Sequence, residues 1–584
     1  AAAVLAVGWA AALPAQGERL ATLRRAASRL SPWAAVSFSP LLLNWSLWPG
    51  RELTALLLIL GAGLLMERAW AAAVAAGPVV LPLRLSATFD RALSALARQP
   101  VLPMLLVLAG ALFYSVFFTL FMWHTHYRTG TSAYDLGIEN NLVWNAAHLN
   151  GPIFKTSPLG GPTATHVGYH ETFISYLLAP FYRLWPTPEA LLCLQATLIA
   201  FATVPLHLWA RAKIGAWPSV LVCFAYLLSP AVHGANLYDF HYQPLAPFFI
   251  FWVLLFMEQA RWRWAILWVV LTLAVREDMS LMLAVVGGYL IFTRTQVRAG
   301  LILAGICLVI FVVQKNIIMP SFLNGFPAYI NQYEGLLPEG DKGFGGVIKT
   351  VIGNPTFTLT SLLEQQKLVY GLQIFAPLVL LPLRRWVGLW LCLPGFFFTL
   401  LSTKYPPLLM ISFQYTAYWS MFVFLASAYV MSQAKEPAQK RGMLAGLGLA
   451  TLFSTVCFGA IWQQNTAHGA WDQARFVLND EDKRRHDDLY EAIAHIPPDA
   501  KVAASERLNP HVSSRADAYT LRGTIFDAEY VLFETPWIGG IERDAVRPHL
   551  ESKEYGVHFE KGNFWVLKRG ADPARNEEVL RFLR

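Results

Sequence analysis

The sequence predicts a mainly α-helical, polytopic membrane protein that ends in a small α/β unit. Three observations carry this. Apolar side chains make up 55% of the 584 residues and charged ones only 14%, where a soluble chain carries about a quarter charged. The mean hydropathy is +0.42, and apolar runs recur as far as residue 463 before the composition turns charged and mixed. The 21 Trp, 21 Tyr and 37 Phe fit broad water–lipid boundaries, where amphipathic rings settle.

A span needs about 20 apolar residues, fewer if short or tilted. Residues 1–13 are apolar with no basic region before them and read as a truncated start rather than a signal peptide. Further runs fall at 33–49, 53–75, 101–122, 188–210, 216–230, 244–260, 299–318, 368–383, 386–402, 415–432 and 442–463. The stretch 264–294 has room for two short helices about Arg276-Glu277-Asp278. The total is about 11–14 spans.

Basic clusters orient them: Arg84, Arg91 and Arg98; Arg211 and Lys213; Arg261 and Arg263; Arg294 and Arg298; Arg384 and Arg385; Lys435, Lys440 and Arg441. Placing all of these in the cytoplasm makes the spans alternate without conflict. The opposite face then carries 123–187, 231–243, 319–366, 404–414 and everything after 464. Residues 173–185 are too short to span and read as an interfacial helix, as does amphipathic 346–366. The division is 1–100 (first helices and a cytoplasmic linker), 101–464 (transmembrane core with the large outer loop 123–187) and 465–584 (soluble α/β unit outside the cytoplasm). That unit reads as a helix over 475–495, a strand at 501–505, a second at 528–534, and a hairpin about Lys561-Gly562-Asn563.

The +8 formal charge does not imply nucleic acid, because the basic residues follow the positive-inside pattern. All five cysteines, Cys193, Cys223, Cys307, Cys392 and Cys457, lie in apolar runs, which excludes a disulfide framework or cysteine metal site. No Walker loop, dinucleotide fingerprint or nucleophile elbow occurs.

Ionisable residues gather on the outer face. His124 and His126 follow the 101–122 run; Asp135 and Glu139 stand in YDLGIENN; His166, His170 and Glu171 stand in THVGYHETF; His233, Asp239 and His241 stand in HGANLYDFHYQP. Carboxylates there can accept a hydroxyl proton or hold a cation, and histidines can share either task. Asp135 and Glu139, four apart, share a face if a helix starts there, and Asp135 equally suits a helix cap. His166 and His170 have helical spacing, but Val167 and Tyr169 occupy the positions where a zinc protease needs Glu. Arg276-Glu277-Asp278 must pair internally or reach water, since charges facing lipid are costly; an ordinary exposed turn is the alternative.

YDLGIENNLVW, the stretch from HETFISYLLAPFYRLW to TVPLHLWAR, REDMSLMLAVVGGYL and the tail piece IPPDAKVAASERLNPHVSSRADAY together resemble bacterial domain-of-unknown-function family 2079 over roughly 100–570. That family in turn resembles the GT-C membrane glycosyltransferases, which take sugar from a polyprenyl-phosphate carrier outside the cytoplasm. The resemblance implies an inner-membrane enzyme, a polyprenyl-phosphate sugar donor and the lipid bilayer as partners, and an acidic catalytic or metal-binding residue early in the first outer loop. Asp135 matches that position, with Glu139 second. His124, His126, His166, His170, Glu171, His233, Asp239, His241, Arg276 and Glu277 are the substrate-facing candidates. No acidic pair stands at 135, which leaves a divalent cation (Mg or Mn) on Asp135 open. The competing readings are a transporter or flippase of a lipid-linked or polar substrate, and a non-catalytic membrane scaffold. A transporter would set its ionisable groups near the midplane and often shows two related halves.

Overall fold

The computed structural model describes residues 18–48, 50–76, 95, 98–323, 328–341, 344–462 and 475–583. The first apolar run, Arg84, Arg91 and the start of the 465–584 unit lie outside them. Among the described residues five helices are long and apolar enough to cross a membrane: Glu52–Ala75, Leu102–Tyr127, Pro188–Ile214, Val297–Phe322 and Pro437–Phe458. A sixth crossing arises if Ala216–Leu227 and Pro230–Leu237, bent by 46° at Leu228-Ser229, count as one span. Shorter apolar helices, Gln243–Glu258, Trp262–Val275, Met279–Phe292 and Trp386–Leu400, fill the space between them. Several predicted runs are thus broken helices rather than single rods. The run 368–383 passes from Gln365–Phe375 into 3-10 turns, with Val379 and Leu380 at positive φ.

With lipid as apolar as leucine, helices here associate by close approach rather than by escape from water. Glu52–Ala75 lies along Pro437–Phe458 on such a contact. A Cβ on Gly442 would meet Glu67 O at 2.4 Å, and one on Gly446 would meet Gly63 O at 2.7 Å. By contrast, Leu301, Ile302, Ile306, Val309 and Val312 of Val297–Phe322 are exposed, as a lipid-facing surface requires.

The outer-loop stretch 173–185 is a nine-residue helix, Ile174–Tyr182. The stretch 346–366 is two helices, Phe344–Gly353 and Pro355–Leu362, separated by Asn354, which caps the second by accepting from Phe357 N.

The C-terminal unit holds a five-stranded sheet ordered β2-β1-β3-β5-β4, with β1 Val502–Ala504, β2 Ala518–Thr520, β3 Tyr530–Glu534, β4 Tyr555–Lys561 and β5 Phe564–Arg569. β1 runs parallel to β2 and β3; β5 runs antiparallel to β3 and β4. The two-residue side-chain alternation of strands divides the core into two layers. Val502, Ala504, Leu532 and Val566 pack under Leu489 and Ala492 of the helix Asp480–Ala494. Ala503, Val531, Phe533, Trp565 and Leu567 face Val546, Leu550 and Val579 on the other side. The helix begins at Asp480, behind an Asn479–Asp482 capping box, rather than at 475. The first and third strands and the hairpin lie where the sequence places them. β2 is additional: three residues are too few to show a period.

Candidate functional site

Asp135 lies in a π-helical turn, Ala133–Gly137, that runs directly into the helix Ile138–His148. Its side chain does not cap that helix; it points at the segment after Pro230–Leu237. Oδ2 accepts from Ser132 Oγ (2.7 Å) and the Tyr238 hydroxyl (3.2 Å), and Oδ1 lies 3.0 Å from His241 Nε2. His241 Nδ1 is 3.1 Å from Tyr238 O, which can only accept, so Nδ1 carries a hydrogen. Burial would raise the Asp135 carboxyl, but His241, Ser132 and Tyr238 together hold it below the usual carboxylate range. Its side chain is still 21% exposed, open to a ligand.

The segment facing Asp135 is strained and pinned. Asp239 sits at φ 44°, a left-handed conformation uncommon for a non-glycine residue. Gln195, midway along a buried span, fixes it: Nε2 donates to Asn236 O (3.0 Å) and Asp239 O (2.7 Å), while Oε1 accepts from His241 N (2.8 Å). Asp239 Oδ2 accepts from Ser132 N at 2.9 Å, closing the two segments on each other. Burial and the Asp135 charge raise its carboxyl well above the usual range. Glu139 lies behind Asp135 and is buried. Burial pushes its carboxyl up to about 8, against the Tyr242 hydroxyl and the Arg276 charge and with the help of the Asp135 charge.

Arg276-Glu277-Asp278 is not an exposed turn: all three are buried between Trp262–Val275 and Met279–Phe292. Arg276 is bidentate on Asp278, and Tyr418 contacts both. Glu277 Oε1 accepts from Lys315 Nζ (2.9 Å) and lies 3.0 Å from His170 Nδ1. Burial would raise Glu277, but Lys315 and His170, with Arg276 behind them, hold it well below the usual carboxylate range. Glu171 accepts from Gln314 at 2.9 Å. His166 and His170 form a single turn, with His170 N donating to His166 O at 2.8 Å, rather than a helix. Burial, helped by the charges of His170 and Arg276, pushes the His166 imidazole down to about 3, with Glu277 opposing.

The structure thus gathers Asp135, Glu139, His166, His170, Glu171, Asp239, His241, Arg276 and Glu277 into one polar region. It keeps three candidates apart. Both nitrogens of buried His233 serve the backbone, at Leu227 O and Ala460 N. His124 bonds Phe476 O, and His126 bonds Thr131 Oγ1 while its ring stacks on His511 at 3.9 Å. Their work is to join the end of Leu102–Tyr127 to the C-terminal unit.

That unit docks on Ile138–His148 through residues the sequence reading missed. Asn140 donates to Ser513 and Ser514, Asn141 to Ser513 O and Arg515 O, and Asn145 to Ala516 O. Lys155 pairs with Asp517 at 2.9 Å, and Ser157 Oγ accepts from Ala518 N. Lys315, Gln195, Tyr238 and Tyr418 were missed as well. The polar residues within apolar runs were the only local signal for Gln195 and Lys315.

Among the described residues no three His, Cys, Asp or Glu side chains converge as metal ligands. Asp135 is instead surrounded by the hydrogen-bond donors Ser132, Tyr238 and His241.

Of solved structures, ArnT from Cupriavidus metallidurans, bound to undecaprenyl phosphate, is similar at 11% identity and a TM-score of 0.42, over 82% of this chain and 99% of that one. No curated protein matches the chain. The model of the family described as "Predicted membrane protein (DUF2079)" matches residues 125–568. That match takes in the Asp135 turn, the buried Arg-Glu-Asp group and nearly all of the C-terminal sheet, and this chain belongs to that family.

Proposed function

We propose that the protein transfers a sugar from a polyprenyl-phosphate carrier to a hydroxyl acceptor on the outer face of a bacterial inner membrane. The observation that carries this is Asp135: a part-exposed carboxylate kept ionised by three donors, beside a buried polar group, in a chain otherwise built for lipid. The acceptor oxygen attacks the anomeric carbon, the carbon–oxygen bond to phosphate breaks, and phosphate leaves with that electron pair. Asp135 takes the acceptor proton. His241 keeps its carboxylate aimed, and Tyr238 and Ser132 hold the second oxygen. Lys315 and His170, the latter 38% exposed, supply donors for the departing phosphate. The apolar flanks admit the prenyl chain from the bilayer.

The test uses purified full-length protein in lipid nanodiscs with a radiolabelled polyprenyl-phosphate sugar and measures release of polyprenyl phosphate. Asp135→Asn, which preserves shape but cannot accept the proton, lowers the rate about 100-fold or more with donor binding intact. Equal rates in the two proteins defeat the reading. Donor that is bound but never cleaved, and that crosses the bilayer when the protein is placed in sealed vesicles, supports a flippase instead.

A further inference from the structure

The C-terminal unit does more than rest on the membrane core: it reaches the turn that carries Asp135. Glu506, just after β1, accepts from Ala133 N through its carbonyl (2.8 Å) and from Tyr134 N through Oε1 (3.4 Å). Arg522 lies 3.6 Å from the same Oε1, and its guanidinium sits 4.8 Å over the Tyr134 ring. The adjacent Arg507 lies 4.8 Å over the Trp537 ring and has no ion pair among the described residues. Two exposed aromatic rings, each with an arginine, therefore stand on the chain segments next to the turn that carries the candidate catalytic residue. Tyr134 is 41% exposed and Trp537 57%, high for rings this large. Glu506 Oε2 is buried with no hydrogen-bond partner.

We infer that Glu506, Arg507, Arg522, Tyr134 and Trp537 form a carbohydrate-binding subsite, and that it holds a glycan acceptor against Asp135. The chemistry matches a neutral polyhydroxylated ring. Exposed aromatic rings cover its C–H surface, guanidinium forks donate to neighbouring hydroxyls, and the Glu506 carboxylate holds Arg522 in place for this. The name acceptor rests on the proposed transferase reading; the binding of sugar does not.

Fluorescently labelled full-length protein in phosphatidylcholine nanodiscs, applied to an array of immobilised oligosaccharides, separates the two. Wild-type discs are retained on a subset of glycans above empty discs. Glu506→Gln and the surface change Trp537→Ala lower that retention about tenfold without changing the melting temperature, while Asp135→Asn keeps it. Absence of retention by wild type, or equal retention by the Glu506 and Trp537 variants, overturns the inference. Retention that follows the lipid of the disc rather than the sugar also overturns it, and makes Trp537 an interfacial anchor. Retention of glycans by a protein that releases no polyprenyl phosphate leaves the subsite standing and removes only the transferase reading.

Discussion

Asp135 and Glu139 carry the same functional group four residues apart, and the fold sets them in opposite charge states. Asp135 is surrounded by donors and ionised; Glu139 is enclosed and pushed up to about 8. The unfolded chain ionises Glu139 near the ordinary value of 4.5, whereas the folded one keeps it protonated until about 8. Unfolding between these pH values therefore releases a proton, and stability falls as pH rises through that window. Glu139→Gln mimics the protonated form and has no such term. Its melting temperature should match wild type near pH 4 and exceed it by a few degrees at pH 8. A difference that does not widen with pH contradicts the assignment. The sequence exposes Asp135 because a carboxylate in an apolar neighbourhood needs a reason. It cannot tell which of the two acids is open to a ligand, since His241 and Tyr238 arrive from about 100 residues away. His233 shows the same limit in reverse: its motif looked chemical, yet its ring ties two backbone segments together.

At the scale of elements, the helix Ile138–His148 is the joint of the molecule. One edge follows Asp135, and the other carries Asn140, Asn141 and Asn145 into the loop 513–516. Asn141 is the best connected: it donates to two carbonyls and accepts from Ser157 N and Asn145. Asn141→Ala leaves those buried groups unpaired, a loss of about 1–3 kcal/mol. Hydrogen exchange across 509–518 should rise about tenfold with the transmembrane helices unchanged; unaltered exchange there contradicts the docking role. Helices such as Leu102–Tyr127 were legible because twenty or more apolar residues admit few other structures. The π-helical turn, the strand β2 and the asparagine contacts were not. The turn and the asparagines meet partners 370 or so residues along the chain, β2 is too short to show a period, and an asparagine on a helix looks the same whether it meets water or a carbonyl.

For the whole molecule, the contacts put the C-terminal unit beside Asp135, and the positive-inside pattern predicts Arg384 and Arg385 on the opposite face. A membrane-impermeant maleimide added to intact cells should label Ser552→Cys, on an exposed position, and label Arg385→Cys only after permeabilisation. The reverse pattern inverts the topology. The native thiols interfere little, because four of the five are buried and Cys193 is half-buried. The docking contacts carry a consequence for how such proteins diversify. Asn141 and Asn145 grip the C-terminal unit by its carbonyl groups, which every residue possesses, so this half of the joint places little demand on which side chains stand at 515 and 516. A tail whose backbone follows the same path can therefore be exchanged for another while the half that bears Asp135 stays untouched. Whatever the C-terminal unit recognises can then change as an interchangeable part.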